Sequence, residues 1–366
     1  MDRAALKART IKVFAGIKDA NTVIIANSDY QDPNFLYLTD LKSGLFEGSL
    51  VVLKKDNAML LTSPLEYEDA LKGVPKGMQV IKIDSADKAK KILTKAVKGK
   101  NIGMNEDFVT YAMHIRFDKK YRPSKMVDVS AAFENARMTK DKYEISEIRK
   151  AVRITKGAQR EIQKFFKKGI TEKQLADKFN DIAARLGAKK PSFDTIVCFG
   201  ANASMPHHSP DGTRLKYGDF VLIDAGSKVG NYCSDITRTY IFGNDKNKIK
   251  DYAKKREIYN LVKQAQTRAI KAIKPGAKGA DIHKIAEDCI NKYKGGKYKG
   301  TFIHSLGHSI GLEVHDGSGR VLTPGSELTL KEGIITSVEP GIYLPGFGGV
   351  RIEDDILVTK KGALIL

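Results

Sequence analysis

The chain has 366 residues, carries 63 Lys and Arg against 43 Asp and Glu, and has a net charge of +20. That length exceeds one ordinary core and suits two domains, and 42% hydrophobic residues exclude a chain disordered by composition. No apolar run reaches the ~18–20 residues of a membrane span, residues 1–19 show no signal-peptide pattern, and three cysteines outside any CxxC exclude a disulfide framework and a Cys-based zinc site. A cytoplasmic protein is the expectation.

In chain order, Thr22 to Ala26 is a short β-rich apolar run. Gly48 to Thr62 reads as two strands around a turn at Lys55-Asp56-Asn57. Pro64 to Lys72 has helical texture, Val80 to Ile83 is a strand, and Ala86 to Lys98 is a helix closed by Gly99. Asn101 to Met104 and Met126 to Val129 are further strands. These segments predict an α/β domain over residues 1–135. Beyond Arg137 the texture changes. Met138 to Phe166 predicts one long amphipathic helix, and Glu172 to Leu186 a second. Lys250 to Ile273 and Ala280 to Tyr293 are two more helical blocks, with short strands and turns between. A second domain is expected over 136–366, where +15 of the net charge falls. The lysines are dispersed, and no basic motif interleaved with aromatics is present. Charge alone supports only a sequence-independent phosphate interaction, so specific nucleic-acid binding is not expected.

Two strand–turn–strand segments carry opposed carboxylates. Gly218 to Phe242 reads GDFVLIDAGSKVGNYCSDITRTYIF. A turn centred on Val229-Gly230 sets Asp224 opposite Asp235, with Cβ atoms ~5 Å apart. Ile334 to Tyr343 and Gly349 to Val358 flank a Gly/Pro-rich turn that sets Glu339 opposite Glu353. A lone strand carboxylate is usually a surface charge. Two opposed pairs in apolar strands repel unless a cation or proton lies between them, and a metal ion is the simplest reason for both. Three of seven histidines fall together as His304, His308 and His315, and Gly307 and Gly311 leave His308 uncrowded. An imidazole beside four carboxylates suits divalent Mn, Fe, Co or Zn, and such a set can bridge two ions. His114 and His283 read as surface or structural residues, and Cys198, Cys233 and Cys289 as packing.

These residues resemble the proline-specific metallopeptidases, Xaa-Pro dipeptidase (prolidase) and aminopeptidase P. The block His304 to Asp316 looks like their signature. IDAG around Asp224, SDITRT around Asp235, VEPG around Glu339 and RIEDD around Glu353 match in order and approximate spacing. The resemblance implies an α+β chain: a pita-bread domain of two pseudo-symmetric halves, preceded by a smaller creatinase N-terminal-like α/β domain. It implies Asp224, Asp235, His308, Glu339 and Glu353 as ligands of two divalent ions, Mn or Co before Zn or Fe. Asp235 and Glu353 would bridge the ions. His207, preferred over His208 on spacing, would line the substrate site with His304 and His315. Tyr343 and Arg351 would support the ligands. The implied activity is hydrolysis of the Xaa-Pro bond of dipeptides by a hydroxide bridging the ions, with Glu339 relaying the proton. The alternatives are aminopeptidase P, acting on longer peptides, and a non-catalytic pita-bread protein that binds nucleic acid. A homodimer is expected from the resemblance.

Overall fold

A computed structural model describes residues 1–28 and 31–366, which divide into two compact units, Met1–Tyr143 and Glu144–Leu366. The 135/136 boundary read from the sequence falls inside a helix, Ser130–Met138.

In the first unit six strands form one sheet: β1 (Thr22–Ala26), β2 (Leu50–Leu53), β3 (Ala58–Thr62), β4 (Met78–Lys82), β5 (Asn101–Met104) and β6 (Lys125–Asp128). Their order is β4-β3-β2-β1-β5-β6. The central pairs β1/β2 and β2/β3 are antiparallel, and the outer pairs are parallel. The helices are α1 (Arg3–Ala15), α2 (Pro33–Thr39), α3 (Tyr67–Gly73), α4 (Ala86–Val97), α5 (Tyr111–Tyr121) and α6 (Ser130–Met138). Ile24, Val52, Leu61 and Ile102 of the sheet pack against Leu93, Ala96 and Val97 of α4. The sequence predicts no element at α1, α2, α5 or α6. Asp2 caps α1 by accepting from the Ala5 N–H at 2.8 Å, and Leu6, Thr10, Val13 and Phe14 form its buried stripe.

The helix predicted over 138–166 runs only over Lys142–Glu161. Thr139-Lys140-Asp141 separate α6 from α7 (Lys142–Glu161), and a 3₁₀ turn over Ile162–Phe165 follows. The second unit then runs through α8 (Glu172–Arg185), β7 (Lys190–Pro191), β8 (Ile196–Phe199), β9 (Phe220–Ala225), β10 (Ser227–Val229), β11 (Tyr232–Cys233) and β12 (Ile236–Ile241). Its other half comprises α9 (Tyr252–Ala272), α10 (Gly279–Asn291), β13 (Gly307–His308), β14 (Arg320–Leu322), β15 (Ile335–Val338), β16 (Gly341–Leu344), β17 (Gly348–Arg351), β18 (Asp354–Thr359) and β19 (Gly362–Ile365).

The two halves repeat one plan: two helices, then an antiparallel three-stranded sheet. The sheets run β12-β9-β8 and β15-β18-β19. In the first half, Ala158, Leu175, Phe179 and Ile182 of the helices bury against Val197, Phe199, Val221 and Ile223 of the sheet. α8 starts where the sequence places it because Thr171 and Gln174 form a reciprocal capping box, each bond 3.1 Å long. α9 turns a stripe of Ile258, Leu261, Val262, Ala265 and Ala269 inward. Among the described residues, no helix is long and apolar enough to cross a membrane.

Candidate metal centre

The first hairpin delivers two carboxylates, with a register that corrects the sequence reading. Asp224 on β9 lies opposite Thr237, not Asp235. The turn is centred on Gly230-Asn231, since Val229 pairs with Tyr232. Moving the turn centre by one residue shifts each partner by two, and a shift of two preserves the face. Asp235 therefore becomes a diagonal neighbour of Asp224, and both line one pocket. The ladder opens beside Asp235. A Cβ on Gly226 would lie 2.0 Å from the Ser234 carbonyl oxygen, so only glycine lets the strands pass there. The Asp235 N–H instead donates to Asp355 Oδ2 at 3.0 Å.

The second hairpin has the register the sequence predicts. Val338 opposes Asp354 and Gly341 opposes Arg351. Glu339 and Glu353 thus fall opposite each other in the gap between two pieces of ladder. β13 brings in His308, whose backbone N–H donates to Ser337 Oγ at 3.0 Å. Gly307 permits that approach, because a Cβ there would sit 2.0 Å from the Ser337 carbonyl oxygen.

The four acids and His308 meet in a largely buried cluster. His308 Nε2 lies 3.3 Å from Glu339 Oε1 and 3.6 Å from Asp235 Oδ2. Asp235, His308 and Glu353 each present one donor atom, all within 4.8 Å of one another. Thr237 Oγ1 donates to Glu353 Oε2 at 2.6 Å, and Ser337 Oγ to Glu339 Oε1 at 3.2 Å. Of the six buried side-chain oxygens without a hydrogen bond among the described residues, four lie in or beside this cluster: Oδ1 of Asp224, Asp235 and Asp355, and Oε1 of Glu353. Each such atom costs ~1–3 kcal/mol or more when its group is charged. Burial and the neighbouring carboxylates hold Asp235 and Glu353 well above the usual carboxylate range. Burial pushes Asp355 up to about 7. Burial also acts on Glu339, but the His308 hydrogen bond and charge outweigh it and bring it down to about 2. Converging oxygens that lack donors, plus one imidazole, are what a divalent first-row ion requires.

Around the acids stand the other residues singled out from the sequence. His207, His304, His315, Glu339 and Arg351 line the same pocket, about 370 Å³ in volume. Arg351 Nη2 donates to Asp224 Oδ2, Nη1 to Tyr343 Oη at 2.8 Å, and Nε to Thr237 Oγ1 at 3.2 Å. His304 Nδ1 lies 2.8 Å from the Ser305 carbonyl oxygen, which fixes the proton on Nδ1. Its Nε2 then accepts from Tyr343 Oη at 2.7 Å. Burial lowers the His304 and His315 pKa values, so both imidazoles are neutral at pH 7. The structure separates His207 from His208. His208 Nε2 lies 2.8 Å from Glu172 Oε2, and Glu172 also accepts from Phe199 N, Asn202 Nδ2 and Asp211 N. That second acidic group is thus closed by its own hydrogen bonds. His283 is buried and accepts from the Leu306 N–H, and His114 belongs to the first unit. Cys198, Cys233 and Cys289 are buried free thiols.

Asp355, Thr237 and Glu172 were given no role by the sequence reading. Asp355 could have been noticed, since it stands two residues from Glu353 in the same strand direction. Nothing in the sequence links Glu172 to His208.

The second unit matches the model of Metallopeptidase family M24 over residues 146–360. The chain belongs to this family. Residues 14–139 match the Creatinase/Prolidase N-terminal domain. An M24 member is a metal-dependent hydrolase, and the doubled half described above is its pita-bread fold. The chain is 34% identical over 364 residues to an Xaa-Pro dipeptidase of Pyrococcus horikoshii, covering 99% of this chain and 97% of that one. The structure superposes on a prolidase from Pyrococcus furiosus with a TM-score of 0.82 and 34% identity, covering 94% and 96% of the two chains. It also superposes on an X-Pro aminopeptidase from Thermotoga maritima, with a TM-score of 0.87, 28% identity and 97% coverage of both.

Proposed function

We propose that this M24 chain is an Xaa-Pro dipeptidase working with two divalent ions, Mn or Co, held by Asp224, Asp235, His308, Glu339 and Glu353. The observation that carries the reading is the set of buried carboxylate oxygens without donors converging beside His308. A non-catalytic nucleic-acid-binding protein would have no use for that costly arrangement. The names of the Pyrococcus relatives support the dipeptide substrate. So does the pocket, which at about 370 Å³ lies toward the small end of the ~300–1,000 Å³ usual for ligand sites.

When bound, the ions lower the pKa of a water and polarise the scissile carbonyl. The chain's own residues position and move protons. Glu339 is ionised across the neutral range and accepts a proton from the attacking water. It then returns that proton to the leaving nitrogen. The nitrogen leaves as the secondary amine of proline, which needs that proton because an amide anion is too basic to be expelled. His315 and His207 border the pocket and contact the substrate, and His315 stands ready to donate to the oxygen that gains charge. Arg351 and Tyr343 hold Asp224 and His304 in place.

The T. maritima match favours a second reading, an aminopeptidase acting on longer peptides. Hydrolysis of Ala-Pro beside Ala-Pro-Ala, by metal-stripped protein with Mn or Co restored, decides between them. Cleavage confined to the dipeptide supports the first reading, and preference for the tripeptide replaces it. No metal-dependent cleavage of either overturns both. A homodimer in the cytoplasm completes the proposal. Sedimentation tests the dimer, and the three buried thiols suit a reducing compartment.

A further inference from the structure

The two halves of the catalytic unit share an unassigned device. The buried stripe of α7 contains Ala158-Gln159, and that of α9 contains Ala265-Gln266. Both glutamines are buried, at 3% and 0% exposure. Glutamine is normally a surface residue, and a buried amide must find partners for two donors and an acceptor.

Each finds acceptors for its two donors on the two strands of its own hairpin. Gln159 Nε2 donates to the carbonyl oxygens of Ile223 and Ile236, both at 3.1 Å. Its Oε1 accepts from Tyr240 Oη at 3.2 Å. Gln266 Nε2 donates to the Val338 carbonyl oxygen at 3.3 Å and to Asp354 Oδ2 at 3.1 Å. Its Oε1 accepts from Lys263 Nζ at 2.9 Å. Every one of the four acceptors belongs to a residue next in the chain to a cluster carboxylate. Ile223 precedes Asp224, Ile236 follows Asp235, Val338 precedes Glu339 and Asp354 follows Glu353.

The placement has a physical reason. Each ladder stops one residue short of a carboxylate: the last rung of the first is Ile236 with Ala225, next to Asp235, and the last rung of the second is Val338 with Asp354, next to Glu339 and Glu353. One amide group with two donors, fixed on a packed helix, ties the two strands together close to the end of each ladder. A carboxylate cluster with mutual repulsion pushes its strands apart, and the staple opposes this.

We propose that Gln159 and Gln266 are paired positioning residues, one for each half of the metal cluster. This inference rests on the two-ion reading above. Gln159 fixes the hairpin that supplies Asp224, the ligand expected to belong to one ion only. Gln266 fixes the hairpin that supplies Glu339, expected to belong only to the other. Each hairpin also carries one expected bridging ligand, Asp235 or Glu353, so each amide bears mainly on one ion and, through the bridge, on the coupling of both.

The test is calorimetric titration of Mn²⁺ into metal-stripped, full-length protein. Electron paramagnetic resonance at two equivalents then reports coupling between the ions. The wild-type chain binds two ions in resolved steps and gives a coupled spectrum. Gln159→Met and Gln266→Met, close in shape but unable to donate, each weaken one step ~10–100-fold, the usual range for lost outer-shell support. Each weakens a different step, and the coupled signal falls in both. Gln159→Asn and Gln266→Asn keep an amide on a shorter arm and show the same selectivity if the Met variants fail to fold. Wild-type binding in folded variants overturns the proposal. So does equal weakening of both steps in proportion to lost thermal stability, which marks a purely structural role. If the wild-type chain itself binds no Mn²⁺, the two-ion reading fails instead.

Discussion

Asp355→Asn in metal-stripped protein isolates the electrostatic cost of this cluster. Asp355 is wholly buried, accepts the Asp235 N–H, and leaves Oδ1 without a donor. Burial raises its pKa to about 7, against ~3.9 in an unfolded chain. Between these values the folded state holds a proton that the unfolded state has lost. Stability contributed by the protonated group is therefore lost as pH rises through the window from ~4 to ~7. Each pH unit is worth ~1.4 kcal/mol, so from pH 5 to 7 this group removes about 2.5 kcal/mol. In a unit of 150–250 residues that is a fall of roughly 5–10 °C in Tm. The amide keeps an acceptor for the Asp235 N–H and cannot titrate. Comparing slopes with pH, rather than Tm at one pH, cancels any constant cost of the substitution. Thermal melts across pH 5–8 in a chelator read the difference. Asp355→Asn should show the shallower decline and stand higher relative to wild type at pH 8 than at pH 5. Parallel curves would refute the claim that a buried, uncompensated carboxylate is the cause.

Further outcomes follow from the same geometry. Asp235→Asn and Glu353→Gln each abolish metal-dependent turnover while the apo melting temperature holds or rises at pH 8, because a buried repelling charge is removed; a turnover assay and a melt on one preparation check both. Mn²⁺ or Co²⁺ at 100 times its Kd stabilises by ~2.7 kcal/mol, or roughly 5–11 °C. That gain shrinks as pH falls, because protons on Asp235 and Glu353, both held above the usual carboxylate range, compete with the ion; a pH-independent gain contradicts the assigned ligands. Arg351→Met strands Asp224 and Tyr343 and costs ~3–5 kcal/mol of stability by denaturant titration, as expected when one partner of a buried pair is removed. Arg351→Lys recovers only part, since one ammonium cannot serve Asp224, Tyr343 and Thr237 in the same geometry.

Legibility of the sequence followed the range of the interactions. The second hairpin was readable to the residue because its turn is short and its strands alternate regularly, so opposing Glu339 to Glu353 needed only local arithmetic. The first was misplaced by one residue of turn centre, since both Val229-Gly230 and Gly230-Asn231 offer turn chemistry. The error was harmless to the chemistry for a definite reason: strand faces repeat every two residues, so Asp224 and Asp235 kept a common face. α1 escaped notice because its apolar positions are interleaved with Lys and Arg, and its cap is a single aspartate. α6 escaped notice, and the start of the next helix was set at Met138 rather than Lys142, because helical texture runs across Thr139-Lys140-Asp141.

What the sequence could not reveal is how a metal cluster is supported. Motif spacing locates ligands, since each lies in a segment with its own pattern. Beyond Arg351 and Tyr343, the atoms that aim those ligands come from distant segments: Asp355 at the Asp235 N–H, and Thr237 at Glu353. They become recognisable only when polar groups are buried together and each donor is assigned. Gln159 and Gln266 show the consequence most clearly. In sequence they interrupt an amphipathic stripe and look like flaws in it. In the fold they occupy the one place on each helix where an amide can reach both strands beside the carboxylates. In this fold, the buried amide on each helix binds residues adjacent to the carboxylates, which is where the metal ligands begin.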